Sequence, residues 1–238
     1  DKDAHFAYAQ NLATHGHLLD SADPEATMIR ENHQPPLYYA LMAMVIAPLG
    51  ASQPYPDVPL NPYLPYGSGY NHAIQPLEPD DGMALLRLAL YTARALTALL
   101  VTASALAVYA LARRLWPTDR LAAWVTVALY AFWPQALYLG SVVNNDALAL
   151  ALAALVLYAA VRVAQDGWKP VCVLVLGGSL AAAVFTKLNG LGLILPAVLA
   201  FLWGGIASRP RGRQWLGLGV AGLLLAGVLL GVQQFDFV

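Results

Sequence analysis

Cysteine is nearly absent from this sequence, and so is charge. The one cysteine, Cys172, sits inside an apolar run, so neither a disulfide framework nor a cysteine metal cluster can be built. Lys, Arg, Asp and Glu make up 11% of the 238 residues, against about 25% in a soluble domain. No initiator Met and no signal-peptide pattern opens the chain, which begins DKDAHF and reads as part of a longer protein. What is abundant is apolar surface. Hydrophobic residues reach 59%, where soluble domains have roughly 45–50%. The expected class is all-α, a polytopic integral-membrane helix bundle.

Six apolar spans follow one another, at about 94–112, 121–139, 146–162, 170–187, 189–207 and 214–233. Each falls within the roughly 17–25 residues that a tilted bilayer helix requires. The connections alternate in charge. RRLWPTDR (113–120), VRVAQDGWK (161–169) and RPRGR (209–213) hold eight of the thirteen Lys and Arg. By the positive-inside rule these loops face the cytoplasm. SVVNND (141–146), the turn at LNG (188–190) and the acidic first eighty residues then lie on the outer face. All five histidines and twelve of the fourteen carboxylates go with them. The sequence divides into an outer segment, 1–93, with amphipathic and juxtamembrane helices, and a transmembrane bundle, 94–238.

Within the outer segment, DAHFAYAQNLATHGHLL reads as an amphipathic helix. Phe6, Ala9 and Ala13 form one stripe, with Lys2, Gln10 and His17 off it. Residues 51–80 hold seven prolines and read as loop. Between them lies ENHQPPLYYALMAMVIAPLG (31–50). Pro35 and Pro36 suit a first helical turn, where a missing N–H costs nothing. The helix from Pro36 to Ala47 is about 18 Å long at 1.5 Å per residue, too short for a 30 Å hydrocarbon core. It is expected to lie along the outer leaflet. Its N-terminus, beside Glu31, His33 and Gln34, offers free amides and the positive dipole end to an anion. An anion at a leaflet surface attached to something apolar describes a lipid phosphate.

Five segments carry a resemblance: DKDAHFAYAQNLATHG, ENHQPPLYYAL, RALTALLVTASALAVYALARRLW, SVVNNDALALALAALVLYAAVR and FTKLNGLGLILP. In this order they resemble bacterial GT-C glycosyltransferases, related to protein O-mannosyltransferases and to aminoarabinose and other lipid-linked sugar transferases. The resemblance implies a fragment of a larger GT-C fold, with one membrane helix before residue 1 and several after 238. It implies an inverting transferase that uses a polyprenyl-phosphate-linked sugar at the outer face of the plasma (inner) membrane. It also implies a carboxylate base in the first outer loop. Asp1, His5 and Phe6 match a D-E-x-x-H-F pattern, with Lys2 departing from it at the Glu position. In the shorter D-E-x-H-F register Asp3 takes the Glu position, so the base is Asp1 or Asp3. The H-x-P-P-L element, with His33 and Gln34, is implied to lie near the donor phosphate. Arg94 matches an arginine at the outer start of a membrane helix.

The chemistry needs a base for the acceptor hydroxyl, cations for the departing phosphate and an apolar groove for the lipid. Arg94 and Lys187 lie at outer ends of spans, where charge is costly and tends to be functional. Lys187 equally reads as a residue snorkelling to the headgroups. Asp146 reads as a helix N-cap and, compatibly, as a supporting or metal carboxylate. His5 and Glu31 are further supporting or metal candidates. A divalent ion such as Mg²⁺ or Mn²⁺ held by Asp1 or Asp3 with the phosphate suits hard oxygen ligands. Zinc is not expected, because nothing in the histidine spacing imposes a tetrahedral set. The expected partners are membrane lipid, the polyprenyl-phosphate sugar and an acceptor protein, lipid or glycan, with no nucleic acid. A transporter would place polar groups near the bilayer midplane. Here the midsections are almost free of them, which disfavours transport. A non-catalytic scaffold is the other reading, in which the outer acids only solubilise.

Overall fold

The computed structural model describes residues 2–18, 31, 33–50 and 84–208. Asp1, the proline-rich stretch 51–80 and the span expected at 214–233 lie outside them. Among the described residues every regular element is a helix. In chain order these are α1 (Lys2–His15), α2 (Leu37–Ile46), α3 (Ala84–Leu115), α4 (Arg120–Ala131), α5 (Pro134–Ser141), α6 (Asp146–Asp166), α7 (Pro170–Thr186) and α8 (Ile194–Ser208). 3-10 turns occur at Ala47–Leu49 and Leu188–Leu193.

Three stretches are long and apolar enough to cross a membrane: Ala84–Leu115, Asp146–Asp166 and Leu188–Ile206. The first begins at Ala84 rather than at the expected 94. Its 32 residues extend about 48 Å. The early turns are helical because Leu86, Ala89 and Ala93 share one face and are buried, a spacing of three to four residues.

Two expected spans differ. The one at 121–139 is broken into α4 and α5, because Pro134 has no N–H to continue a helix. Trp133 before it is pushed to an extended ψ of 125°. The last described span starts as a 3-10 turn rather than an α-helix. Gly190 presses that turn against α7, and a Cβ there would lie 2.7 Å from the Ala183 carbonyl carbon.

Two apolar cores stack along the bundle. One joins α1 (Phe6, Tyr8, Ala9) and α2 (Tyr38, Tyr39, Met42, Ile46) to the first turns of α3 and to Val143 and Leu148 beside the start of α6. The stripe expected on α1 is found, but Gln10, expected off it, is buried as well. The other core joins α6, α7 and α8 through Val156, Val163, Leu176 and Ala197. At its far end the crossing is held by the 167–168 turn. Trp168 stacks on Phe201 at 4.8 Å. Its indole N–H donates to the Phe201 carbonyl at 2.8 Å, and its backbone N–H donates to Ser208 Oγ at 2.8 Å. Also at that end, Arg114 and Arg162 converge on the Asp166 carboxylate. The bundle therefore has a basic end, with these arginines, and an opposite end where α1, α2 and the starts of α3 and α6 meet.

Candidate functional site

The end away from the arginines collects most of the candidate side chains. Asp146 is the first residue of α6, after an N-cap at Asn145 that makes no side-chain cap bond. Asn144 Oδ1 accepts the Asp146 backbone N–H at 2.7 Å. The Asp146 carboxylate is thereby released from the capping role read from the sequence. It pairs instead with Lys187 just past α7, with Nζ 2.5 Å from Oδ1. For Lys187, at a half-buried position, that carboxylate is a partner in reach. The two side chains are 35% and 26% exposed, so the pair is accessible without being fully solvated.

A cavity of about 280 Å³ runs from this pair between α6, α7 and the turn at 188–193. Asp146, Lys187 and Asn189 supply its polar lining, while Leu139, Leu150 and Leu193 supply apolar wall. Ala149 and Ala153, one and two turns along α6 from Asp146, line it too. Small residues at helical spacing leave a groove there, about 10 Å deep at 1.5 Å per residue. The arrangement has one charged end and one apolar end, which suits an amphiphile.

Beside the pair, the residues that precede α2 and α6 touch. The Asn145 side-chain amide donates to Gln34 Oε1 at 3.4 Å, and Gln34 Nε2 lies 3.2 Å from His33 Nε2. Asn145 is 1% exposed, and its Oδ1 has no hydrogen-bond partner. Pro36 occupies the N-cap of α2, and no side chain caps that helix.

α1 is tied to α2 by His5 and Tyr39. His5 Nδ1 and the Tyr39 hydroxyl are 2.7 Å apart. Tyr8 stacks on Tyr39 at 4.0 Å, and Tyr38 meets the same ring edge-on. Burial holds the His5 imidazole below its usual pKa; the Glu31 and Asp146 charges oppose this, and Lys187 reinforces it. Burial, with the nearby Glu31 charge, pushes the Tyr39 phenol far up. Either the phenol O–H or an Nδ1–H supplies the shared hydrogen, according to the imidazole tautomer.

The structure thus brings together His5, Glu31, Asp146 and Lys187 electrostatically, and His33 with Gln34 by contact. Arg94 makes no ion pair or hydrogen bond to any of these among the described residues, and its Nε is buried without a partner. It follows Ala93, which packs in the core with α2, and comes about one turn before Thr97, whose hydroxyl meets that of Tyr38 at 3.3 Å. Asp3 lies in the first turn of α1, and Asp1 lies outside the described residues. Among the described residues no three His, Cys, Asp or Glu side chains are placed to hold a metal ion. His5, Glu31 and Asp146 therefore do not make one by themselves.

Sequence reasoning did not single out Tyr39, Tyr38, Asn145 or Asn189. The only local signal was for Asn145, a polar residue directly before an apolar helix. Tyr39 lay unmarked in an apolar run.

The family model described as dolichyl-phosphate-mannose-protein mannosyltransferase matches residues 82–231. The match takes in Arg94, Asp146 and Lys187, and leaves α1 and α2 outside it. No curated protein and no solved structure matches the chain.

Proposed function

Because the chain belongs to the dolichyl-phosphate-mannose-protein mannosyltransferase family and is a membrane glycosyltransferase of the GT-C kind, we propose that it moves a sugar from a polyprenyl-phosphate donor to an acceptor hydroxyl. The reaction takes place on the extracytoplasmic face of the plasma (inner) membrane. Asp1 or Asp3 takes the proton of the acceptor hydroxyl. The acceptor oxygen bonds to the sugar's anomeric carbon from the face opposite the phosphate. The bond from that carbon to the phosphate oxygen breaks, and its electron pair leaves with the phosphate, so the configuration inverts. Lys187, with Arg94, His33 and Gln34, supplies the cations and N–H donors that this charge requires.

The observation that carries the reading is the Lys187–Asp146 pair, with Asn189, at the polar end of a largely apolar cavity of about 280 Å³. A lipid phosphate needs such a combination: one ammonium for the head and an apolar groove for the first carbons of the tail. The charges of Asp146 and Lys187, with that of Glu31 before α2, also act on His5 of α1, the helix that carries the proposed base Asp3.

The test is sugar transfer by the full-length enzyme in membranes, with polyprenyl-phosphate sugars as donors. A charge-assisted hydrogen bond is worth about 1.5–3 kcal/mol. Lys187→Ala should therefore raise the donor KM about ten- to hundred-fold, with expression unchanged. Absence of transfer from every such donor, or an unchanged KM in Lys187→Ala, overturns the reading.

A further inference from the structure

We infer that Asp146 is the residue that releases the spent lipid carrier: its carboxylate, seated on Lys187, weakens binding of the product phosphate more than binding of the donor. The inference rests on the lipid-phosphate donor proposed above.

Asp146 is not occupied by its own helix. The first amide of α6 is satisfied by Asn144, and the carboxylate lies 2.5 Å from the Lys187 ammonium. Both groups line the same cavity, so an anion that reaches Lys187 also meets Asp146.

The charge of that anion changes during the reaction. The donor is a phosphodiester with a single negative charge. Transfer breaks the bond to the anomeric carbon and leaves a phosphomonoester, which carries about 1.5–2 negative charges at pH 7. A bare ammonium at the start of α6, where the helix dipole is positive, would bind the product more tightly than the donor. The enzyme would then be held by its own product. A carboxylate in the same place opposes this, because its repulsion grows with the charge of the ligand. One further unit charge at roughly 7 Å, in an effective dielectric of about 30, changes binding by about tenfold.

The competing role for Asp146 is to orient Lys187. The two roles predict opposite signs. Loss of an orienting group weakens donor and product alike, whereas loss of a repelling group tightens both, and the product more.

The experiment measures, in the full-length enzyme, the donor KM, the inhibition constant of free polyprenyl phosphate and the time course of the first turnover. In Asp146→Asn the inhibition constant should tighten about tenfold more than the KM. The steady-state kcat should fall, while the first turnover still gives a burst. Asp146→Glu, which keeps the charge, should keep the wild-type ratio of the two constants. If Asp146→Asn does not fold, Asp146→Ser removes the same charge and carries the same comparison. The release role is overturned if the two constants shift by the same factor, if both weaken, or if Asp146→Glu behaves as Asp146→Asn does. Wild-type transfer with an unaltered ratio in the variants removes only this inference. Failure of the wild-type enzyme to use any lipid-phosphate donor removes the proposed function as well.

Discussion

The contact between His5 and Tyr39 offers a direct measure of how α1 is held over the site. Tyr39→Phe removes one oxygen and leaves the ring stack with Tyr8, at 4.0 Å, in place. His5 is 5% exposed and Tyr39 0%, so the bereaved Nδ1 cannot turn to water. A buried group left without its partner costs about 1–3 kcal/mol. His5→Phe orphans the Tyr39 hydroxyl by the same logic and should cost a similar amount. The double variant, His5→Phe with Tyr39→Phe, leaves no polar group unpaired and should cost much less than the sum. The coupling expected between contacting residues is about 0.5–3 kcal/mol. Thermal unfolding of the purified full-length enzyme, followed for all four proteins, gives the cycle. Transfer kinetics on the same proteins should show kcat falling in Tyr39→Phe, because α1 carries Asp3. The pH dependence supplies a second reading. Burial lowers the His5 pKa from its ordinary 6.5, so the folded state binds fewer protons than the unfolded one. The stability contribution of neutral His5 is then complete above about pH 6.5 and is lost as pH falls from there through the lowered folded value. His5→Phe should flatten that slope. A Tyr39→Phe protein within about 0.5 kcal/mol of wild type, with additive costs in the cycle, would refute the reasoning.

Two further outcomes are expected. Gly204→Ala should destabilise the enzyme by about 1–3 kcal/mol through overpacking, since a Cβ there would lie 2.4 Å from the Val163 carbonyl oxygen, a backbone atom that only a shift of α8 can relieve; unchanged thermal stability would refute the crossing. An impermeant thiol reagent applied to intact cells should label Ser141→Cys, in an exposed position, and not Thr118→Cys, with low background because Cys172 is buried; labelling at Thr118→Cys from outside would reverse the orientation and displace the site from the outer face.

The membrane class and the rhythm of the helices were legible in the sequence because both depend on local composition. A residue's hydrophobicity and its neighbours three and four positions away decide whether a turn buries one face. Two prolines predicted the start of α2 to within a residue, because the missing N–H acts where it stands. The same local rule should have revealed the break in the expected 121–139 span, since Pro134 was visible; continuous apolar character masked it. The start of α3 was set too late for the complementary reason. Leu86 and Ala89 look unremarkable until Phe6 and Tyr39 supply a surface for them to cover.

The pairings at the site were beyond any local reading. Lys187 and Asp146 are 41 positions apart, and His5 and Tyr39 are 34 apart. From sequence each had a satisfactory isolated role: a cap for Asp146, a headgroup anchor for Lys187. Which role held depended on competition. The N-cap fell at Asn145 and the Asp146 N–H went to Asn144, which left the Asp146 carboxylate free, and the turn at 188–193, pressed close by Gly190, brought Lys187 within reach of it. Sequence determines which residues can carry charge at the edge of an apolar bundle. Only the packing of α6 against α7 decided which two charges meet, because an ion pair forms where the backbone brings its partners, and that path is set by contacts far from either residue.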